Sequence, residues 1–171
     1  RVEPMNVGEV DVNRVIGQCI QLVDHKVELG NVTLRLELDE ELPLLRGDSG
    51  QIEQLLLALI MNAIEAMPQG GNLRVATSTD AAAENVTMIV EDDGIGIPQS
   101  ILPQLFEPFV TTKEEKGVGL GLAISRRIVE RHHGEIGVQS EAGRGTKFTI
   151  TIPVAAMTAS APAAQLEPIA I

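Results

Sequence analysis

Apolar residues switch between two spacings along this chain, and that alternation restricts the fold more than any other feature. Val12, Val15, Ile16, Cys19, Ile20, Val23 and Val27 recur at intervals of three and four. Residues 11–29 therefore form a helix with one buried face, Asp11 as its N-cap and Gly30 as its stop. Val32-Thr33-Leu34-Arg35-Leu36-Glu37-Leu38 alternates apolar and polar residues, the pattern of a half-buried strand at 32–38. A short strand at 44–46 follows. Helical spacing returns with Ile52, Leu55, Leu56, Leu59, Ala63 and Ala66, in a helix that starts near Asp48 and runs to Met67, where Pro68 ends it. Strands at 73–79 and 85–91 flank a turn at 80–84 and pair as an antiparallel hairpin. Glycine and proline fill 93–117. A third helix covers about 119–132, and a glycine turn joins two last strands, 135–140 and 146–153. The result is an α+β fold, a two-layer α/β sandwich in which three helices cover one face of a mixed, mainly antiparallel sheet. This domain occupies 1–153, and the Ala- and Pro-rich 154–171 reads as a tail or linker.

Composition removes several classes of function. A chain of 171 residues is one ordinary domain with room for a core. It has three Phe and no Trp or Tyr, so the core is aliphatic and no base-stacking platform for single-stranded nucleic acid is present. A formal charge of −11 opposes any large phosphate-neutralising surface. A single nucleotide remains compatible, because a divalent cation and a few local cations offset its charge. Cys19 is the lone cysteine, which excludes an intrachain disulfide and a cysteine-based zinc cluster and fits a reducing, cytoplasmic setting. No apolar run reaches membrane-spanning length, no signal sequence is visible, and direct membrane contact is not expected. The first residue is Arg1, which suggests a piece of something longer.

Five short segments carry the chemistry: Asn62-Ala63-Ile64-Glu65-Ala66, Asp92-Asp93-Gly94-Ile95-Gly96, Leu105-Phe106-Glu107-Pro108-Phe109, Gly117-Val118-Gly119-Leu120-Gly121 and Gly143-Arg144-Gly145-Thr146. Asn62 borders the buried stripe of its helix. Its carboxamide oxygen suits a hard cation such as Mg²⁺, or it bonds a neighbouring loop. Counting by twos, Val86, Met88, Val90 and Asp92 share one side of a strand, so an apolar face ends in a carboxylate. That carboxylate needs donors, and the adenine amino group is one. Equally, Asp92 and Asp93 can be turn residues before Gly94. The glycines at 117, 119 and 121 precede a helix whose N–H groups suit phosphate, or they form a hinge. Residues 105–117 read as a movable lid, with Phe106 and Phe109 as anchors and Thr111, Thr112, Lys113 and Lys116 reaching a phosphate; two Phe around Pro108 can also plug a core. His25 is a solvated residue, and His132 and His133 are helix-end cations before the stop at Gly134. No nucleophilic triad is visible.

Together the segments resemble the ATP-binding catalytic domain of sensor histidine kinases, in the superfamily that also holds gyrase, Hsp90 and MutL. The resemblance spans about residues 6–153, and the Asn-Ala-x-x-Ala-Met wording around Asn62 is most similar to kinases of the nitrogen-regulation type. It implies the Bergerat ATP-binding fold, with Asn62 holding Mg²⁺ and Asp92 the adenine amino group. Gly94 and Gly96 would shape the base pocket, and Gly117, Gly119, Leu120 and Gly121 would lie along the phosphates. Thr111 and Thr112 would contribute from the lid, and Thr146 would support the adenine end. Two positions depart from the pattern. Ala58 stands where many relatives have a second Asn and where ATP-hydrolysing members have a general-base Glu, and Glu65 stands where many carry Lys. Phosphate charge would then be met by Lys113, Lys116 or Arg126.

Loss of the base argues for transfer over hydrolysis, because a neutral imidazole nitrogen is already nucleophilic. The resemblance implies a protein-histidine kinase domain that binds Mg²⁺-ATP, releases ADP, and phosphorylates a histidine on a helical dimerisation domain elsewhere in the parent chain. A response regulator would take the phosphoryl group in two-component signalling. The alternatives are a non-catalytic nucleotide-binding or docking module and an anti-sigma-type serine kinase.

Overall fold

The computed structural model describes residues 3–110 and 121–155. The chain runs β1 (Val7–Val10), α1 (Val12–Leu29), β2 (Val32–Glu37), β3 (Leu45–Asp48), α2 (Ser49–Glu65), β4 (Gly71–Thr79), β5 (Asn85–Asp92), α3 (Gly121–Arg131), β6 (Glu135–Glu141) and β7 (Gly145–Pro153), with a short 3-10 turn at Leu102–Gln104. Five strands form one sheet in the order β2-β4-β5-β7-β6. Only β2 and β4 run parallel, and the other neighbours are antiparallel. The expected mixed α+β sandwich is the fold observed.

Sheet register explains where the core sits. Val75, Val90, Phe148 and Val138 form one row across β4, β5, β7 and β6, and Thr77, Met88, Ile150 and Ile136 form the next. These inward-facing residues merge with Ile16, Cys19 and Val23 of α1, Leu55, Leu56 and Leu59 of α2, and Ile128 and Val129 of α3 into one core. Three helices thus cover one sheet face. On the opposite face Arg74 donates to Glu37 at 2.7 Å and to Glu91 at 2.9 Å, a charged ladder across β2, β4 and β5.

Both predicted N-caps are present. The Asp11 carboxylate accepts from Arg14 N–H at 3.1 Å, and that of Asp48 accepts from Gln51 N–H at 3.1 Å. Gly30 and Gly134 lie at the helix ends as expected, but neither takes the left-handed turn. Gly30 caps α1 with a right-handed φ of −81°, and Asn31 takes the left-handed turn at φ 52°. At the end of α3, His133 N–H donates to Glu130 C=O and Gly134 N–H to Val129 C=O, a Schellman arrangement. Its left-handed residue is His133 (φ 57°), not Gly134. α2 ends at Glu65, two residues early, leaving Ala66 half-buried as the C-cap.

Two features were not expected at all. β1 pairs antiparallel with β3 in a separate two-stranded ribbon. His132, read as a helix-end cation, is fully buried. Its Nδ1 donates to Ile128 C=O at 2.8 Å and its Nε2 accepts the Asp48 N–H at 3.0 Å. Asp48 also accepts the Asn6 N–H at 2.8 Å. The chain entering β1, the start of α2 and the end of α3 therefore meet at Asp48. Gly47 makes room for this, since a β-carbon there would sit 2.6 Å from the imidazole. Val154 is still part of the fold, donating to Glu84 C=O at 2.8 Å and accepting from Arg46 N–H at 3.2 Å; residues 156–171 lie outside the described residues.

Candidate functional site

The apolar rows of the inner sheet face give way to a polar one at one end. Asp92 is in register with Leu73 on β4 and with Thr146 on β7, and Thr146 with Ser140 on β6. The same strand parity that sends Val90, Phe148 and Val138 into the core places Asp92, Thr146 and Ser140 side by side at its rim. Asp92 is 7% exposed and Thr146 6%.

The two adjacent aspartates do different work. Asp93 clamps the start of β4, accepting Asn72 N–H at 2.8 Å and Asn72 Nδ2 at 2.7 Å, and these bonds hold its carboxyl below the usual range. Asp92 accepts the Gly94 N–H at 2.9 Å, the bond expected of an aspartate opening a turn. Burial pushes its carboxyl up to about 6, against the lowering effect of the Gly94 and Thr146 N–H groups. With two backbone N–H groups as partners, the carboxylate keeps lone pairs for a further donor. This is the chemistry of a group that receives a donor from a ligand.

Gly94 and Gly96 bring separate parts of the chain together beside it. A β-carbon at Gly94 would overlap the Ala66 carbonyl that ends α2, and one at Gly96 (φ 70°) would overlap the Glu141 carbonyl. Two bonds seal these approaches, Ile95 N–H to Ala66 C=O at 2.9 Å and Gly143 N–H to Ile95 C=O at 2.7 Å. The loop after β5 is thereby strapped to α2 on one side and to the β6–β7 turn on the other. Ile95 is left 58% exposed, an apolar side chain in the loop next to the Asp92 carboxylate.

Ser140 is the residue that sequence reasoning missed. Its hydroxyl oxygen accepts Ile97 N–H at 2.8 Å, donates to Gly145 C=O at 2.9 Å, and lies 2.8 Å from Thr146 Oγ1. Ile136, Val138 and Ser140 alternate along β6, the same parity signal that singled out Asp92. Among the other candidates, Asn62 is half-buried on the last turns of α2, near the Ala66 cap that meets the loop. Ala58 is half-buried one turn earlier. Gly121 is exposed at the start of α3, with open space where a β-carbon would stand. Arg126 is exposed and pairs with Glu130 at 3.0 Å. Phe106 docks edge-on against Phe148 (centroids 6.3 Å, planes 69°), but Phe109 is 75% exposed and is no anchor. Thr111, Thr112, Lys113, Lys116, Gly117, Gly119 and Leu120 lie outside the described residues.

Comparison with known proteins places this arrangement. Residues 47–156 match the family model described as histidine kinase-, DNA gyrase B-, and HSP90-like ATPase. The chain belongs to this family. Sporulation kinase E of Bacillus subtilis (strain 168) is 41% identical over 146 residues, 85% of this chain and 20% of that protein. Sensor histidine kinase ZraS of Escherichia coli (strain K12) is 39% identical over 145 residues, 85% of this chain and 30% of ZraS. The chain thus spans a minor part of the length of the curated relatives it matches. Among solved structures, the catalytic domain of histidine kinase ThkA superposes with TM-score 0.79 at 31% identity, covering 88% of this chain and 97% of that one. Full-length ShkA in complex with AMPPNP gives TM-score 0.79 at 27% identity, over 90% of this chain and 32% of ShkA. Family membership gives the polar rim its context: this fold, in ShkA, has been solved with an ATP analogue.

Proposed function

We propose that this domain binds Mg²⁺-ATP and presents the γ-phosphoryl group to a histidine on a separate helical dimerisation domain of the same parent protein. The observation that carries the reading is the polar rim of the sheet, where an aliphatic face ends in a buried carboxylate beside a glycine loop. Adenine slides against the Gly94–Gly96 backbone with its amino group donating to Asp92, and Thr146 closes the same edge. The phosphates would then extend toward the start of α3, where Arg126 would exchange its pairing with Glu130 for them; Lys113 and Lys116 are the further cations proposed, in a segment outside the described residues.

No three His, Cys, Asp or Glu side chains cluster to hold a metal among the described residues. The donor set fits Mg²⁺ arriving with the nucleotide, held by Asn62 and phosphate oxygens, the hard-oxygen chemistry this ion prefers. Bound there, it would neutralise phosphate charge. Ala58 supplies no proton acceptor, so water near the γ-phosphate has no base from that turn of α2. Transfer to a neutral imidazole needs none, and positioning dominates. A response regulator would receive the phosphoryl group next, and the domain would work in the cytoplasm; no helix among the described residues is long and apolar enough to cross a membrane.

Calorimetry with ATP and Mg²⁺ tests the binding step. Asp92→Asn should weaken affinity by tenfold or more, on the order of one charge-assisted hydrogen bond, and unchanged affinity refutes the assignment. Adding a phosphoacceptor domain in trans with ATP labelled at the γ-position should yield acid-labile phosphate. Acid-stable phosphate would indicate a serine kinase instead, and none at all a docking module.

A further inference from the structure

We infer that His132, Asp48 and Asn6 form an acid-sensitive latch, which lets go of the chain entering β1 when the buried imidazole takes up a proton. The inference goes beyond nucleotide binding and does not depend on it.

Two backbone groups hold the neutral ring in one tautomer. Ile128 C=O can only accept, so Nδ1 carries the proton; the Asp48 N–H can only donate, so Nε2 presents its lone pair. A second proton has to go on Nε2, where it faces the Asp48 N–H. His132 is fully buried, so water does not take up that proton's bond. Asp48 is the group whose charge favours the imidazolium, whereas Arg131 and His133 on α3 oppose it. Arg46 on β3 and Glu3 on the incoming chain are exposed. Glu3 meets α3 through its carbonyl, which accepts from Arg131 Nη2 at 2.8 Å.

The Asp48 carboxylate already serves two amides. Oδ1 accepts the Gln51 N–H at 3.1 Å, the partly buried cap of α2, and Oδ2 accepts the exposed Asn6 N–H at 2.8 Å. A bond from a charged donor is about twice as strong as one from a neutral amide, so an imidazolium draws one oxygen away. Water replaces the carboxylate at exposed Asn6 more readily than at the cap. Oδ2 therefore turns to the ring, and Asn6 is released while α2 keeps its cap. Repulsion between the new charge and Arg131 loosens the second tie, at Glu3, in the same direction.

The test follows the His132 and His133 rings and the amides of Asn6, Gln51, β5 and β7 by NMR, from about pH 7.5 to about pH 5, in the chain as it stands. Asn6 should lose at least about tenfold of its protection against hydrogen exchange, the size of one hydrogen bond. Its midpoint should match that of the His132 ring and lie below 6.5, while Gln51 and the core strands stay protected. An Asn6 curve that follows His133, no response at Asn6, or loss at Gln51 and the core strands together with Asn6 overturns the inference. His132→Gln keeps a donor and an acceptor but does not titrate, so it should hold Asn6 equally well at both ends of the range. Acid release of Asn6 in that variant also overturns the inference. If His132→Gln fails to fold, the comparison of His132 and Asn6 midpoints in the wild type decides alone.

Discussion

At Asp92 the proposed nucleotide binding and the stability of the fold pull in opposite directions. Its carboxyl titrates near 6 in the folded domain against 3.8 as its ordinary value, chiefly because burial penalises the charge. The folded state therefore holds that proton more tightly than the unfolded chain does. Stability from this group is complete below about 3.8 and is lost as pH rises through about 6. A shift of two units corresponds to at most about 3 kcal/mol. Asp92→Asn should thus raise the stability of the nucleotide-free domain by about 1–3 kcal/mol at pH 8, with much less gain at pH 4, even as ATP binding falls. Urea unfolding at the two pH values checks this, and a loss of stability at pH 8 would contradict it. His133 gives a second case. It occupies left-handed backbone at the end of α3, which costs a non-glycine residue about 1 kcal/mol, so His133→Gly should raise the melting temperature by about 2–4 °C. At this scale strand parity made Asp92 readable in the sequence. Ser140 carried the same signal along β6, but serine in a strand looks ordinary until its three partners are seen.

Helices show where local rules succeed and where tertiary contacts override them. Caps at Asp11 and Asp48 depend on one side chain and a backbone three residues on, so the sequence alone suffices to place them. Helix stops depend on what the chain must pack against next. Gly30 and Gly134 sit at the helix ends as the sequence indicates, but the left-handed turns fall to Asn31 and His133. β1 was unreadable for a related reason, since four residues acquire meaning only by pairing with β3, from Val10 with Leu45 to Val7 with Asp48. His132 was read as a helix-end cation, although Ser125, Ile128, Val129 and His132 share the helical spacing of a buried face. Its role predicts an acid sensitivity. Burial lowers its pKa below the ordinary 6.5, partly offset by the bond to Ile128 C=O and then by Asp48, so its contribution is present above about 6.5 and is lost as pH falls below that value. Protonation would set an N–H of the imidazole against the Asp48 N–H. His132→Ala should cost about 2–4 kcal/mol through lost packing and two hydrogen bonds, and should flatten the remaining loss of stability below pH 6.5. Asp92 titrates in the same window with opposite sign, so the comparison is cleanest in an Asp92→Asn background.

Taken as a whole, the fold places the polar row of the inner sheet face at the rim and closes the other end of the helical layer with the β1–β3 ribbon. Val10 and Leu45 are each at most 1% exposed there, so removal of residues 1–10 should uncover the start of α2 and lower stability by at least about 2 kcal/mol. A chain lacking those residues that unfolds at the same urea concentration would show the ribbon to be ornamental. The meeting point at Asp48 has a mechanical consequence. Fourteen residues of α2, about 21 Å of rigid rod, separate it from Asn62, and the chain entering β1 attaches at the same pivot through Asn6. A tilt of α2 by about 5° at that pivot would move Asn62 by about 2 Å, more than the metal–oxygen bond proposed there would tolerate. Torque applied at that pivot would therefore reach the Ala66–Ile95 bond as well as Asn62, and so the Gly94–Gly96 loop beside Asp92.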